Sequence, residues 1–275
     1  MLDEPEEKRE EPEAEEPRVD PAELEMRVRS RRSFLQAAGA TALGLLGWRW
    51  LHTRRQDDGI PWPLRRVLEI NEDLARDFFK PSRLARTFSP SLAETPKVNG
   101  EEGMDDPVDL RSWKLHLEGS EAVDEMALTM DDIRALPRIE MVTELKCVEG
   151  WSKIVRWAGA RFADFAEKYP PGTKSGNPAN VRGNPDDLYD YVYMETPGGG
   201  YYVGLDMPSM LHPQTLLCYE MNGKPLSDRH GAPLRLVIPV KYGYKHIKRI
   251  GLIRYTPERP ADYWAEQGYD WYAGH

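Results

Sequence analysis

Alternating and helical patterns of apolar residues divide the chain into short strands and a few helices. Apolar residues recur at helical spacing over residues 67–79 and over residues 126–136, where Thr129 is a plausible N-cap. Residues 162–169 predict a short helix that stops at two prolines. Strand patterns are more numerous and cover residues 113–119, 140–147, 189–196, 216–221 and 234–239. Because strands outnumber helices and do not alternate with them regularly, we predict an α+β fold.

Charge is distributed unevenly along the chain, whose net charge is -9 over 275 residues. Residues 1–25 hold twelve Asp and Glu against three Lys and Arg, and prolines separate them. Such a segment has almost nothing to bury, so we predict a disordered acidic extension over residues 1–28. Residues 67–275 are also net negative. The body of the protein therefore has no general basic face, which excludes nucleic acid as a partner.

A basic segment followed by an apolar one comes next. Residues 29–36 read R-S-R-R-S-F-L-Q and resemble the twin-arginine export signal in its S-R-R-x-F-L core. The alternative is a basic amphipathic helix. The resemblance implies export of a folded protein, often with a cofactor, to the periplasm or the outer face of the cytoplasmic membrane. The apolar run over residues 34–51 is near the lower length limit of a spanning helix and no small-residue cleavage site follows it, so we expect residues 29–56 to stay as an uncleaved membrane anchor.

The rest of the chain divides into a connecting segment and a compact domain. Gly59, Pro61 and Pro63 indicate a linker, and the helix predicted at residues 67–79 follows it, so residues 57–95 are a linker and helix. We predict the catalytic domain over residues 96–275. The chain has only two cysteines, Cys147 and Cys218, which are too few for a disulfide framework or a four-thiolate metal site.

Cys147 lies where a predicted strand gives way to a loop, in the sequence C-V-E-G-W-S. A thiolate presented at the end of a strand can bind a soft, redox-active metal or act as a nucleophile. No His or Asp that could serve as a base lies within this segment. On spacing alone, a buried and inert cysteine is the more common situation.

Several segments together resemble the sulfite oxidase superfamily of molybdopterin-dependent oxidoreductases. Residues 147–152 resemble its molybdenum-binding loop, and residues 219–226, 230–239 and 241–248 match its second signature, which reads NGxPL, HGxPxR and P-x-x-YG-x-K-x-x-K. Within the superfamily, the chain most resembles the catalytic subunits of bacterial periplasmic protein-methionine-sulfoxide reductases. It departs from them at Gly150, where Ala is common, and at His230, where Asn is found. The resemblance implies a molybdopterin-binding domain with mixed β-sheets.

The resemblance also implies roles for individual residues. Cys147 is expected to bind molybdenum, Arg235 and Lys248 to bind the phosphate of the pterin, and Tyr201 to be a catalytic hydrogen-bond donor or proton relay, with Tyr202 as the alternative if the register is shifted by one. The other expected cofactor contacts are Asn99, Thr196, His230 and the main chain of His246 and Ile247. Lys241 and Lys245 are expected to be surface or supporting charges, and Cys218 to be inert.

The function implied is molybdenum-dependent, two-electron oxygen-atom transfer to or from a sulfoxide-type or sulfite-type substrate, either small or protein-bound, with molybdenum-molybdopterin as cofactor. Because the chain lacks the ligand spacing of haem or iron-sulfur sites, a separate electron-transfer partner is expected, such as a membrane cytochrome or a quinone-linked subunit. A membrane-tethered, non-catalytic binding protein on the same fold is the main alternative. A cysteine-dependent hydrolase is a second one, and metal analysis separates both from the molybdenum enzyme.

Overall fold

The computed structural model describes residues 21–57, 59–105, 108–120 and 125–275. The chain forms two compact units, Met1–Arg54 and Arg55–His275. Up to residue 20, the predicted acidic extension lies outside the described residues, and from Pro21 the first unit is a long helix, α1 (Pro21–His52). The expectation of disorder is therefore wrong for residues 21–28. In the described ranges, no helix is both long enough and apolar enough to cross a membrane.

The second unit begins with a small hairpin and a helix. Strands β1 (Gln56–Asp57) and β2 (Ile60–Pro61) pair with each other, and helix α2 (Trp62–Phe78) follows directly. The linker predicted over residues 57–66 is thus wrong, because its prolines do not prevent local structure. Pro63 lies in the first turn of α2, where a missing N–H costs nothing. The predicted helix is confirmed and begins five residues earlier than its apolar spacing indicated.

The remaining elements are mostly short strands. In chain order they are β3 (Leu115–Glu118), β4 (Glu125–Leu128), α3 (Met130–Arg134), β5 (Arg138–Lys146), β6 (Ser152–Arg161), α4 (Phe162–Lys168), β7 (Tyr191–Glu195), β8 (Tyr202–Asp206), α5 (Met207–Met210), β9 (Leu216–Met221), β10 (Lys224–Pro225), β11 (Arg235–Val237), β12 (Leu252–Thr256) and α6 (Tyr263–Glu266). Single 3-10 turns occur at Pro90–Leu92, Pro185–Asp187, Asp228–His230 and Gly243–Lys245.

Two five-stranded sheets organise the second unit. One has the order β4-β3-β12-β7-β8, in which β3 and β12 are parallel and all other pairs antiparallel. The other has the order β10-β9-β6-β5, with β11 also paired to β9. The first sheet is mixed, as the α+β fold with mixed sheets requires. Apolar residues of both sheets, such as Leu117, Ile253 and Leu236, meet in one buried core.

The β5–β6 hairpin is the longest strand pair among the described elements. Its register runs from Arg138 opposite Ala160 to Lys146 opposite Ser152, so residues 147–151 form the connecting loop. At Gly159 the register of β6 against β9 shifts, and a Cβ atom there would lie only 2.1 Å from the main-chain oxygen of Leu217. Only glycine permits this close approach of the two strands.

One predicted helix is confirmed only in part. Residues 126–136 carry helical spacing, but residues 125–128 form β4, which pairs with β3, and only α3 is helical. Pairing with a neighbouring strand outweighs a weak local pattern. The predicted cap is confirmed, because the Thr129 side chain accepts from the Asp132 N–H while the Asp132 carboxylate accepts from the Thr129 N–H in a capping box.

Candidate functional site

Cys147 is held by the loop that closes the β5–β6 hairpin. Its N–H donates to the carbonyl of Trp151 at 2.9 Å, and the N–H of Gly150 donates to its carbonyl at 3.1 Å. Gly150 has a φ of 85°, a value that favours glycine and lets the loop turn back into β6. The thiol is half-buried, and the side-chain amide of Asn99 lies 3.7 Å from its sulfur. Burial raises the pKa of the Cys147 thiol.

A pocket of about 960 Å³, open solvent at its mouth included, lies over this loop. Seven of the predicted site residues line it together, although they come from five separate segments of the chain: Asn99, Cys147, Tyr201, His230, Arg235, His246 and Lys248. The fold therefore brings the predicted residues to one place.

Arg235, at the start of β11, is a buried cation that has no anionic partner in the part of the chain that the structure describes. Its guanidinium donates to the carbonyls of His230 at 3.1 Å and His246 at 3.3 Å, and lies 4.9 Å from the ring centre of Trp157. Its Nε is buried without a hydrogen-bond partner, and among the described residues no carboxylate pairs with it. Burial lowers the pKa of Arg235 to about 10. A charge buried in this way indicates a site for an anion.

Lys248 adds a second positive charge to the pocket. Burial and the nearby charge of Arg235 lower the pKa of Lys248 to about 8. Its ammonium donates to the carbonyls of Asn99 and Gly100, which lie 148 or more residues earlier in the chain. Lys248 thus fixes the segment that also places the Asn99 amide beside the Cys147 sulfur.

Two histidines of the pocket are held neutral. The Nε2 of His246 lies 3.0 Å from the carbonyl of Ile238 and therefore carries the proton, so its Nδ1 is an acceptor. This Nδ1 is buried and has no partner among the described residues. Burial, with the charge of Arg235, lowers the pKa of His246 to about 3, and burial lowers that of His230 as well. Both imidazoles can accept a hydrogen bond at neutral pH.

Tyr201, and not Tyr202, lines the pocket. The Tyr201 hydroxyl donates to the carbonyl of Tyr244, and burial raises the pKa of Tyr201 well above 10. Tyr202 begins β8, and its hydroxyl donates to the Glu266 carboxylate at 2.5 Å, outside the pocket. The phenol of Tyr201 is therefore a neutral hydrogen-bond donor at physiological pH.

Thr196 and Ile247 do not line the pocket themselves. The Thr196 hydroxyl accepts from the N–H of Tyr201 at 3.1 Å, so Thr196 positions the pocket tyrosine. The carbonyl of Ile247 accepts from the N–H of Leu236 at 2.9 Å. In the described ranges the N–H of Ile247 has no acceptor.

Several lining residues were not predicted from the sequence. Tyr244, Trp264 and Tyr269 form an aromatic wall, with ring centres of neighbouring members 5.0–5.6 Å apart, and Trp151 also lines the pocket. A signal was present, because residues 263–272 include five aromatic residues. Lys241 and Lys245 are not surface charges. They are buried and paired with Asp206 at 2.9 Å and Asp262 at 2.5 Å.

Comparison with known proteins adds to this geometry. The family model described as the oxidoreductase molybdopterin binding domain matches residues 103–264. The chain belongs to this family. A protein of Azospira oryzae, YedZ1, whose name describes it as a candidate subunit of a protein-methionine-sulfoxide reductase, is 32% identical over 89% of this chain and 88% of its own length. The catalytic subunit MsrP of the protein-methionine-sulfoxide reductase of Campylobacter jejuni is 35% identical over 59% of this chain and 56% of its own length.

The chain spans about half the length of the MsrP subunits it matches. Among solved structures, the sulfane dehydrogenase SoxCD of Paracoccus pantotrophus has a TM-score of 0.45 and 15% identity, over 56% of this chain and 40% of that one. As a member of the molybdopterin-binding family, the chain is an oxidoreductase with a molybdenum-molybdopterin cofactor. The prediction of an α+β molybdopterin-binding domain is confirmed.

The pocket of this molybdopterin-binding domain fits its cofactor chemically. A molybdopterin presents a phosphate, hydrogen-bonding edges of a pterin and a soft metal. The buried Arg235 without a carboxylate partner suits the phosphate. The unpartnered Nδ1 of His246 suits a donor of the pterin, and the half-buried sulfur of Cys147 suits the metal.

Proposed function

We propose that this chain is the catalytic subunit of a molybdenum enzyme that reduces sulfoxides, methionine sulfoxide in proteins above all. The proposal rests on one pocket that brings three features together. These are the half-buried Cys147, the buried Arg235, and the aromatic wall of Tyr244, Trp264 and Tyr269. The names of the relatives supply the substrate class.

Cys147 is the residue that would hold molybdenum, and Arg235, Lys248, His230 and His246 would hold the pterin and its phosphate. Metal coordination would keep the thiol deprotonated, against the raised pKa that burial gives it alone. When bound, the cofactor supplies two-electron oxygen-atom transfer chemistry. The net reaction takes a sulfoxide, two electrons and two protons to a thioether and water.

Side chains of the pocket would orient the substrate and supply hydrogen bonds. Trp264 and Tyr269 offer apolar rings to the methyl group and sulfur of the substrate, a contact that sulfur makes well with aromatic rings. The neutral hydroxyl of Tyr201 is a donor within the same pocket. We infer that, when substrate binds, this hydroxyl turns from the carbonyl of Tyr244 to the sulfoxide oxygen, and that the new hydrogen bond strengthens as negative charge grows on the oxygen.

Electrons and location are part of the same proposal. The two electrons would come from a separate redox partner, a membrane cytochrome or a quinone-linked subunit, on the outer side of the cytoplasmic membrane. The export motif at residues 29–36 supports that location.

The test is a substrate comparison with purified, molybdenum-loaded protein and a dye as electron donor. We expect dye oxidation with methionine sulfoxide, faster in a peptide than as the free amino acid, and no reduction of ferricyanide with sulfite. Sulfite-dependent turnover without sulfoxide turnover would reject the proposed direction. Tyr201→Phe should lower kcat with little change in the visible spectrum of the cofactor, whereas Tyr202→Phe should leave both unchanged.

A further inference from the structure

Helix α2 presents two different faces. One is buried against the rest of the second unit and contains Arg65 and Glu72. A second face is exposed and mostly apolar, interrupted by Asn71, with apolar side chains spaced three or four residues apart, as one stripe of a helix requires. We name it the α2 stripe, and its members are Leu64, Val67, Ile70, Leu74 and Phe78, which are 43–66% exposed.

An exposed line of large apolar side chains marks a contact surface, since isolated apolar residues on a surface are ordinary but contiguous ones are not. The α2 stripe runs along most of a 17-residue helix. At ~1.5 Å per residue such a helix is about 25 Å long. Trp62, the first residue of the helix, is also exposed, on a different face from Leu64.

The ends of α2 indicate what covers the stripe. Arg55 precedes the helix, and Lys80, Arg83 and Arg86 follow it, all within eight residues of its ends. Arg83 donates to the carbonyl of Phe78 at 3.0 Å, and its guanidinium lies 6.0 Å from the centre of the Phe78 ring. Basic groups and tryptophan around an apolar helical stripe are typical of a helix that lies in a membrane interface.

The helix itself does not carry an excess of positive charge. Asp73 and Asp77 are exposed on α2, and Arg66 pairs with Glu69. Apolar contact must therefore provide most of the attraction, with the basic ends adding a salt-dependent part. The sequence before α2 has the same character, because Trp48 and Trp50 are exposed near the end of the apolar run. Tryptophan is enriched at the membrane–water boundary.

We propose that the α2 stripe lies in the interface of a phospholipid bilayer, with its apolar side chains below the headgroups and the basic groups at both ends of α2 among the phosphates. This inference concerns a surface outside the pocket and does not depend on the reaction proposed above. A bilayer fits this surface better than a protein does, because basic groups at both ends of an exposed apolar helix match the phosphates above an acyl layer.

The other face of α2 connects this surface to the pocket. Arg65 donates to the carbonyls of Ala265 at 2.8 Å and Tyr269 at 3.2 Å, and Glu72 accepts from Arg259 at 2.7 and 3.1 Å. The segment held by these bonds contains Trp264 and Tyr269, which line the pocket. Bilayer contact through α2 would thus place one wall of the pocket a single helix away from the lipid.

The experiment measures depth at single positions of the full-length, molybdenum-loaded protein. Val67→Cys, Ile70→Cys and Leu74→Cys are each labelled with a polarity-sensitive fluorophore, and wild type taken through the same labelling is the blank for Cys147 and Cys218. Leu110→Cys is the matched control, because Leu110 and Ile70 are both 54% exposed. Vesicles of phosphatidylcholine, with or without phosphatidylglycerol, are added with nitroxide-labelled lipids as quenchers.

We expect the fluorophores at positions 67, 70 and 74 to shift to shorter wavelengths and to be quenched at least threefold more than those at position 110 and at Asp73→Cys. Three independent stripe positions keep the result interpretable if one variant folds poorly. Equal quenching at stripe and control positions would overturn the proposal. Fluorescence at short wavelengths in the absence of vesicles would also overturn it, because the stripe would then be covered by protein. If dilution removes that signal, the cover is a second copy of the chain; if dilution does not, the cover is the same chain.

Discussion

Substitution of Arg235 by methionine separates cofactor binding from folding. Methionine keeps much of the volume and removes the charge. In wild type the buried guanidinium has a pKa of about 10, against a usual value near 12.5. At 1.36 kcal/mol per pH unit, this corresponds to a burial cost of ~3 kcal/mol. An anion bound beside Arg235 would offset this cost, so the anion and the cation stabilise each other.

Two effects oppose each other in the protein without cofactor. Arg235→Met removes the burial cost, but it also removes the hydrogen bonds to the carbonyls of His230 and His246. Each such charged bond contributes ~1.5–3 kcal/mol. The free energy of unfolding should therefore change by less than about 3 kcal/mol. Cofactor affinity should fall by ~3 kcal/mol or more, which is over 100-fold.

The assay is the molybdenum and pterin content per protein after mild dialysis, together with urea unfolding of the cofactor-free form. Arg156→Met is the matched control, since Arg156 lies on β6 and pairs with Glu140 near the surface. It should keep its cofactor. Full cofactor retention by Arg235→Met would refute the assignment of Arg235 to an anion, as would a loss explained entirely by unfolding.

Three further predictions follow from buried groups. Cys147→Ser should abolish molybdenum binding and turnover and change the free energy of unfolding by under ~1 kcal/mol. Cys218→Ala, at a fully buried position, should lower the free energy of unfolding by ~1 kcal/mol and keep the metal. Elemental analysis measures the metal, and urea titration measures the stability. Asp262→Asn leaves the buried Lys245 without its carboxylate and should lower the free energy of unfolding in urea by ~3–5 kcal/mol. Glu94→Gln, which breaks an exposed ion pair with Lys153, should lower it by under ~1 kcal/mol. Similar losses in the two variants would contradict the argument from burial. His246 has a pKa of about 3 in the fold, so below pH ~6.5 the unfolded chain binds a proton that the native one does not. The free energy of unfolding should therefore decrease by ~1.4 kcal/mol for each unit by which the pH is lowered. His246→Gln should reduce that slope by the same amount between pH 6 and 4.5, and an unchanged slope would show that the ring is not buried neutral.

The parts of the site that local sequence could reveal are those held on single loops or strands. Cys147 and Arg235 stand in recognisable segments, and the strand over residues 216–221 has the predicted bounds. The aromatic wall was missed, because Trp264 lies more than 100 residues beyond Cys147 and only the folded chain brings them together. No local periodicity encodes that proximity.

Two of the strands that were missed share a cause. Strands β6 and β8 are not marked by a clear alternation of apolar and polar residues, since they are buried on both sides for much of their length. β6 could have been found from its position, because a strand that ends at a short loop with glycine predicts a hairpin partner. The burial of Lys241 and Lys245 could not have been predicted from local sequence, since it depends on acidic partners from β8 and the turn before α6.

The hairpin loop that carries Cys147 has an implication for how such enzymes diversify. Main-chain bonds at both ends of that loop set the sulfur in place, and the two strands behind it are paired along their whole length. Trp264 and Tyr269, which line the same cavity, come instead from the C-terminal segment. Substitution of those rings can therefore alter which molecules are accepted without moving the Cys147 sulfur.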